Sequence, residues 1–221
     1  AGLRPISALV DITNFFTVDL GRPLHVFDAG KLAGGVLTMR QGRGETFAGL
    51  HGRDVTATGA DTVIADASGA LALAGVVGGE PTGCTDGTTE VFLEVALFDP
   101  VAVANTGRRL GIQTDARFRF ERGIDAGLMR AATEASSRMI LDLCGGEASE
   151  VVAAGVEPDM RRTATLRYAR LAEFGGLPVP PDEAVGILDR LGFEAVARNT
   201  DRVTVAVPSW RNDCAGEPDG Q

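Results

Sequence analysis

RPISALVDITNFFTVDLGRPLHVFD, residues Arg4–Asp28, carries an apolar run (Ala8, Leu9, Val10, Ile12) that breaks into Thr13-Asn14. It then passes two aromatics and reaches Gly21-Arg22-Pro23 ahead of His25. Polar groups that interrupt an apolar run must find hydrogen bonds or do chemistry, because burying one unpaired costs roughly 1–3 kcal/mol. Each residue has an ordinary reading on its own: Thr13-Asn14 as the cap of a helix or turn, His25 as a satisfied core imidazole. Only two histidines occur in 221 residues, and one of them is here. The spacing of the whole set makes the stretch a candidate pocket wall.

Outward from it, residues Gly34 to Ala96 read as short strands separated by turn chemistry: Val36–Arg40, Thr46–Leu50, Thr62–Asp66, Ala70–Ala74 and Val91–Ala96. Ala67-Ser68-Gly69 predicts a hairpin turn. His51-Gly52-Arg53 predicts another, which accounts for the second histidine without any function. Gly75, Gly78, Gly79 and Gly83 bring backbone to places where side chains would crowd. Asp125 can cap a helix to about Leu143, with Leu128, Ala132, Ala135, Met139 and Leu143 on one face and Gly145-Gly146 ending it.

After Pro158 the character changes. Thr163–Tyr168 predicts a strand, Pro181-Asp182-Glu183 opens a helix that Gly192 ends, and Phe193–Arg198 and Arg202–Val207 pair across Asn199-Thr200-Asp201. The expectation is an α+β chain in two domains. Residues 1–155 form mixed or antiparallel sheets with flanking helices, and residues 156–221 form a small β-α-β-β module.

Composition excludes several classes. The chain is 44% hydrophobic and 23% charged, ordinary for a globular protein. No apolar run approaches the ~18 residues that span a bilayer, so no membrane is expected. Cys84, Cys144 and Cys214 are odd in number and widely spaced, which fits free thiols in a reducing, cytoplasmic setting. A net charge of −9 argues against a general nucleic-acid binder. Arg108, Arg109, Arg117, Arg119 and Arg122 nevertheless cluster, as do Arg161, Arg162, Arg167 and Arg170. Such clusters either contact a phosphate backbone or lace surface carboxylates together.

No phosphate-binding loop, dinucleotide fingerprint, serine-nucleophile motif or Cys/His metal-ligand set is present. What remains is a polar set that can line one pocket: Arg4, Thr13, Asn14, His25, Glu94, Thr114 and the Gly75 backbone. Glu94 interrupts the apolar strand VFLEVALF, sharing a face with Phe92 and Ala96. It either faces solvent, pairs with an arginine, or waits at the bottom of a pocket for a substrate hydroxyl. A carboxylate of the last kind rejects an analogue that lacks the hydroxyl.

Four motifs, RPISALVDITNFFTVDLGRPLHVFD, LALAGVVGGE, FLEVALFDP and TDARFRFERGID, occur in this order and at these spacings. Together they closely resemble the editing domain of bacterial phenylalanine–tRNA ligase beta subunits. LRYARLAEFGG, ILDRLGFEAV and VAVPSWRND resemble the winged-helix-like domain that follows it. The resemblance implies hydrolysis of tyrosine misattached to phenylalanine tRNA. It implies Glu94 as the reader of the tyrosine hydroxyl, with His25, Asn14 and Thr13 near the ester and the terminal adenosine. Ala74 and Gly75 would form pocket wall, Thr114 and Ala116 would orient the amino acid, and Arg4 would be a pocket arginine.

The implied partners are the tRNA and a ligase alpha subunit in an alpha2beta2 assembly. ATP and magnesium would serve the alpha subunit, and this segment needs no cofactor or metal. Two departures stand out. Arg117 replaces a common serine beside Ala116 and bears on the pocket rim, and GEPDGQ at 216–221 supplies no continuing acidic helix. A non-catalytic tRNA-binding or assembly module, and a free-standing hydrolase of another ester or amide, are the competing readings.

Overall fold

The computed structural model describes Gly2, residues 4–156 and residues 158–214; the GEPDGQ expectation lies outside these residues. The chain divides into two compact units, one of residues 1–124 and 128–152, the other of residues 125–127 and 153–221.

The first unit opens with helix α1 (Ala8–Asp19), whose N-cap Ser7 accepts a hydrogen bond from the Val10 amide. Thr13 and Asn14 therefore sit inside a helix, correcting the expectation of a cap at that point. Ile12 and Phe16, four residues apart, share the buried face. Strand β1 (His25–Asp28) follows and pairs antiparallel with β8 (Val91–Glu94), a partner more than sixty residues away.

Between them β2 (Thr38–Gln41), β5 (Thr62–Asp66), β6 (Gly69–Leu73) and β7 (Val77–Gly78) form a four-stranded antiparallel sheet in that order. Strands β3 (Thr46–Gly49) and β4 (Arg53–Thr56) make a hairpin around His51 and Gly52. That hairpin is tied to the sheet by Leu50 N to Gly78 O at 2.9 Å and by Glu80 N to Ala48 O at 2.8 Å. The Ala67-Ser68 turn forms as expected, with Asp66 accepting from the Ser68 amide and hydroxyl. Phe27, Val55, Val63, Leu73 and Val76 are among the most deeply buried side chains of this core.

Helices α2 (Pro100–Leu110) and α3 (Asp115–Phe120) flank the sheets and were not anticipated. Asp61 accounts for the docking of α2. Only 1% exposed, it accepts from the Thr58 amide at 2.7 Å, from the Thr58 and Thr106 hydroxyls at 2.8 Å each, and from Arg109. Burial opposes ionisation of this carboxyl, but those donors outweigh it and hold the pKa at about 2. Helix α4 (Met129–Cys144) starts after a short 3-10 turn rather than at Asp125, and Gly145 ends it at φ +73°. Its buried positions are Ala132 and Ser136, while Leu143 is exposed, so the expected face is rotated.

The second unit is a three-stranded antiparallel sheet, β10 (Glu194–Arg198), β11 (Arg202–Ala206) and β9 (Thr163–Arg167), in that order. Two helices connect β9 to β10, namely α5 (Tyr168–Glu173) and α6 (Pro181–Arg190). The module is thus β-α-α-β-β: the predicted strand stops one residue short, and Tyr168 begins a helix instead. Asn199 closes the hairpin by accepting from the Asp201 and Arg202 amides. Phe193, Val203, Val205 and Val207 form its core with Tyr168.

Candidate active site

Six of the predicted site residues, His25, Ala74, Gly75, Glu94, Thr114 and Ala116, line one cavity of about 310 Å³ in the first unit. That volume is at the lower end for small-molecule sites, roughly 300–1,000 Å³. Much of its lining is apolar: Ile64, Ala72 and Leu73 from the sheet and Val76 from the turn between β6 and β7, with Phe98 and Phe120.

His25 and Glu94 are directly opposed on neighbouring strands β1 and β8. Opposed residues of an antiparallel pair project from the same face, with Cβ atoms ~4.5–5.5 Å apart. The pair thus enters the cavity together. The edge of Phe27 backs the imidazole, ring centroids 4.4 Å apart at 76°. His25 Nε2 is buried with no hydrogen-bond partner among the described residues. Burial lowers its pKa to about 4, so the ring is neutral at pH 7. Burial likewise raises the Glu94 carboxyl from 4.5 to about 7, with no hydrogen bond or opposite charge among the described residues to offset it.

The other walls are held by backbone demands. Gly75 has φ +69°, and a Cβ there would meet Phe98 Cδ2 at 2.9 Å and Val103 Cγ2 at 3.0 Å. A Cβ on Gly78 would meet His25 Cε1 at 2.7 Å, so this glycine is the space the imidazole occupies. Thr114 caps α3 by accepting from the Arg117 amide at 3.1 Å, and donates to Val76 O at 2.7 Å. Its hydroxyl is committed to joining α3 to the cavity wall. Arg22, 1% exposed, donates to Ala96 O at 2.8 Å, which ties the approach to β1 to the segment leaving β8.

Three predicted residues stand elsewhere. Thr13 and Asn14 on α1 and the exposed Arg4 do not line this cavity, and the Thr13 hydroxyl donates to Val10 O at 2.8 Å. Arg117 does not crowd the rim either. It lies along Gly107, where a Cβ would come within 2.1 Å of its Nε, and bonds Ile112 O at 2.5 Å and Glu121 at 3.0 Å. Arg119 pairs with Asp115 at 3.4 Å and Arg122 with Glu121 at 2.8 Å, so this arginine cluster laces carboxylates.

Beyond the apolar lining, one titratable residue escaped sequence reasoning. His51, assigned only to a turn, borders the cavity, and no motif marks it. Among the described residues no three His, Cys, Asp or Glu side chains converge as metal ligands, and no helix is long and apolar enough to cross a membrane.

Comparison with known proteins follows the same division. Residues 1–145 match the family model of the B3/4 domain, and residues 164–219 match that of the tRNA synthetase B5 domain. The chain is 56% identical over 218 residues to the phenylalanine–tRNA ligase beta subunit of Paramagnetospirillum magneticum, covering 99% of this chain and 27% of that protein. It is 54% identical over 214 residues to that of Gluconobacter oxydans, covering 97% and 26%. The chain thus spans about a quarter of the length of these relatives. A crystal structure of an N-terminal fragment of the Pyrococcus horikoshii phenylalanyl-tRNA synthetase beta subunit is similar over 93% of this chain and 61% of that one, with 16% identity and a TM-score of 0.40.

Proposed function

The chain belongs to the B3/4 domain family, and from that premise we propose that its cavity is a hydrolytic editing site for tyrosine esterified to phenylalanine tRNA. The observation that carries this reading is Glu94, a carboxylate with no hydrogen-bond partner among the described residues, in a cavity lined mostly by apolar side chains. A phenol hydroxyl entering the cavity supplies the missing donor. A phenyl ring leaves the carboxylate bare, and that difference favours the hydroxylated side chain.

An aminoacyl ester is already activated, so the chain needs no nucleophile of its own. Placing a water and polarising the carbonyl are enough. His25, neutral and buried next to Glu94, is a hydrogen-bonding wall of the side-chain pocket. With its pKa near 4 it is a poor proton acceptor at pH 7. Thr13, Asn14 and Arg4, outside the cavity, are left for the nucleotide that carries the ester. Thr114 and Ala116 set the wall against which the amino acid lies. The partners in this reading are phenylalanine tRNA and the ligase alpha subunit.

The test is ester loss from tyrosyl-tRNA and phenylalanyl-tRNA, both on phenylalanine tRNA, incubated with the ligase that holds this chain. Faster loss of the tyrosyl ester supports the reading. Equal rates of loss would refute the selectivity for tyrosine, and retention of both esters would refute the reading and favour a non-catalytic tRNA-binding or assembly module.

A further inference from the structure

A second cavity, of about 250 Å³, lies in the same unit, bounded by Met39 and Gln41 on β2, Thr62 on β5, and Ala102 and Thr106 on α2. Ala74 and Phe98 line this cavity and the first one alike, so the two spaces adjoin across them. Of that pair only Phe98, 7% exposed, has a side chain bulky enough to act as a partition.

The place of its ring is given by what converges on Gly75, in the turn between β6 and β7. A Cβ on Gly75 would lie 2.9 Å from Phe98 Cδ2, 3.0 Å from Val103 Cγ2 and 3.2 Å from Phe120 Cδ2. Phe120 belongs to the lining of the first cavity and Val103 to that of the second. The Phe98 ring therefore stands where the two meet. Phe120 packs against it with ring centroids 4.9 Å apart at 59°. The chain is anchored on either side of it. Ala96 O accepts from Arg22 at 2.8 Å, and Asp99 caps α2 by accepting from the Ala102 amide at 2.7 Å. A ring packed this closely has little room to swing aside.

We infer that Phe98 is a specificity-determining residue of this site: its ring closes the amino-acid cavity against its neighbour and sets the largest side chain the cavity admits. The one-ring side chain of tyrosine fits in front of it. A two-ring side chain needs the space behind it, and truncating Phe98 puts a further 250 Å³ within reach. The inference rests on the editing reading and adds a second limit to it. Glu94 disfavours a side chain without a hydroxyl, and Phe98 disfavours one that is too large.

The experiment follows ester loss from phenylalanine tRNA charged with tyrosine or with 4-phenylphenylalanine, incubated with the ligase that carries this chain. Wild type is compared with Phe98→Ala and with Phe98→Leu, which keeps more of the buried volume. A single methylene in an apolar pocket is worth ~10- to 200-fold in discrimination. The ratio of two-ring to tyrosyl ester loss should therefore rise by about 10-fold or more in Phe98→Ala, and by less in Phe98→Leu. Adding Ala102→Leu to either variant refills the second cavity and should return the ratio toward wild type, which a general loosening of the core would not do. If Phe98→Ala does not fold, Phe98→Leu decides. An unchanged ratio, a rise that Ala102→Leu does not reverse, or a wild type that removes both esters equally fast overturns the inference. If wild type itself spares the tyrosyl ester, the editing reading has failed; if wild type removes it and the ratio is the same in the Phe98 variants, only the role of Phe98 has.

Discussion

Asp61 and Glu94 are two carboxylates of the same unit, both taken out of water, and they meet opposite fates. Asp61 collects donors from Thr58, Thr106 and Arg109 and stays ionised down to about pH 2. Glu94 collects none among the described residues, and burial lifts it to about 7. Burial sets the cost of the charge and the surrounding donors decide whether it is met. A carboxylate that the fold satisfies is structural and belongs to α2. One that the fold leaves bare in a cavity awaits a donor from outside.

Removing each group should therefore move stability in different directions. Asp61→Ala strands two threonine hydroxyls and the Arg109 guanidinium, and is expected to cost roughly 3–4 kcal/mol. Urea denaturation at pH 7 measures it; a loss below 1 kcal/mol would erase the contrast.

Glu94→Gln should do the reverse as pH rises. The folded pKa of Glu94 lies above its unfolded value of 4.5, so the folded chain keeps a proton that the unfolded chain has released. Wild-type stability falls as pH rises from 4.5 through 7, and the glutamine variant lacks that fall. The variant's advantage should grow by about 2.5 kcal/mol between pH 5 and pH 8, read from paired denaturation curves. His25 acts oppositely: its folded pKa near 4 lies below 6.5, so its contribution is lost as pH falls through that window. It does so in both proteins and cancels from the comparison. Parallel curves at the two pH values would mean that Glu94 is already satisfied.

The smallest effect sharpens the donor side. Thr106→Val removes one of the bonds to Asp61 and should cost about 1 kcal/mol. It should also raise the pH at which Asp61 protonates, followed by carboxyl NMR titration. An unmoved titration would mean that the remaining donors alone set its pKa.

Much of this contrast was legible in the sequence on one side only. Glu94 announced itself by interrupting VFLEVALF, and β5 was placed to the residue because Thr62–Asp66 is a short run, apolar at its centre, bounded by turn signals. Asp61 went unnoticed because two of its partners, Thr106 and Arg109, come from α2, more than forty residues away. That helix carries its polar side chains as internal donors, so its pattern did not look like a helix docked on a sheet. The helix α1 was misread for a related reason: Thr13 returns its hydroxyl to Val10 O and so sits mid-helix without breaking it. The pairing of β1 with β8 is non-local, so His25 facing Glu94 followed from resemblance and not from spacing. His51 was hidden by an ordinary turn reading that was correct locally and silent about which cavity the turn borders.

The most direct test of the account is the ratio of tyrosyl to phenylalanyl ester hydrolysis in wild type and Glu94→Ala, both within the ligase. A hydrogen bond to a charged group contributes ~1.5–3 kcal/mol, so the ratio should fall by about 10- to 100-fold, through slower loss of the tyrosyl ester or faster loss of the phenylalanyl one. An unchanged ratio would contradict the claim that Glu94 is left bare for the tyrosine hydroxyl.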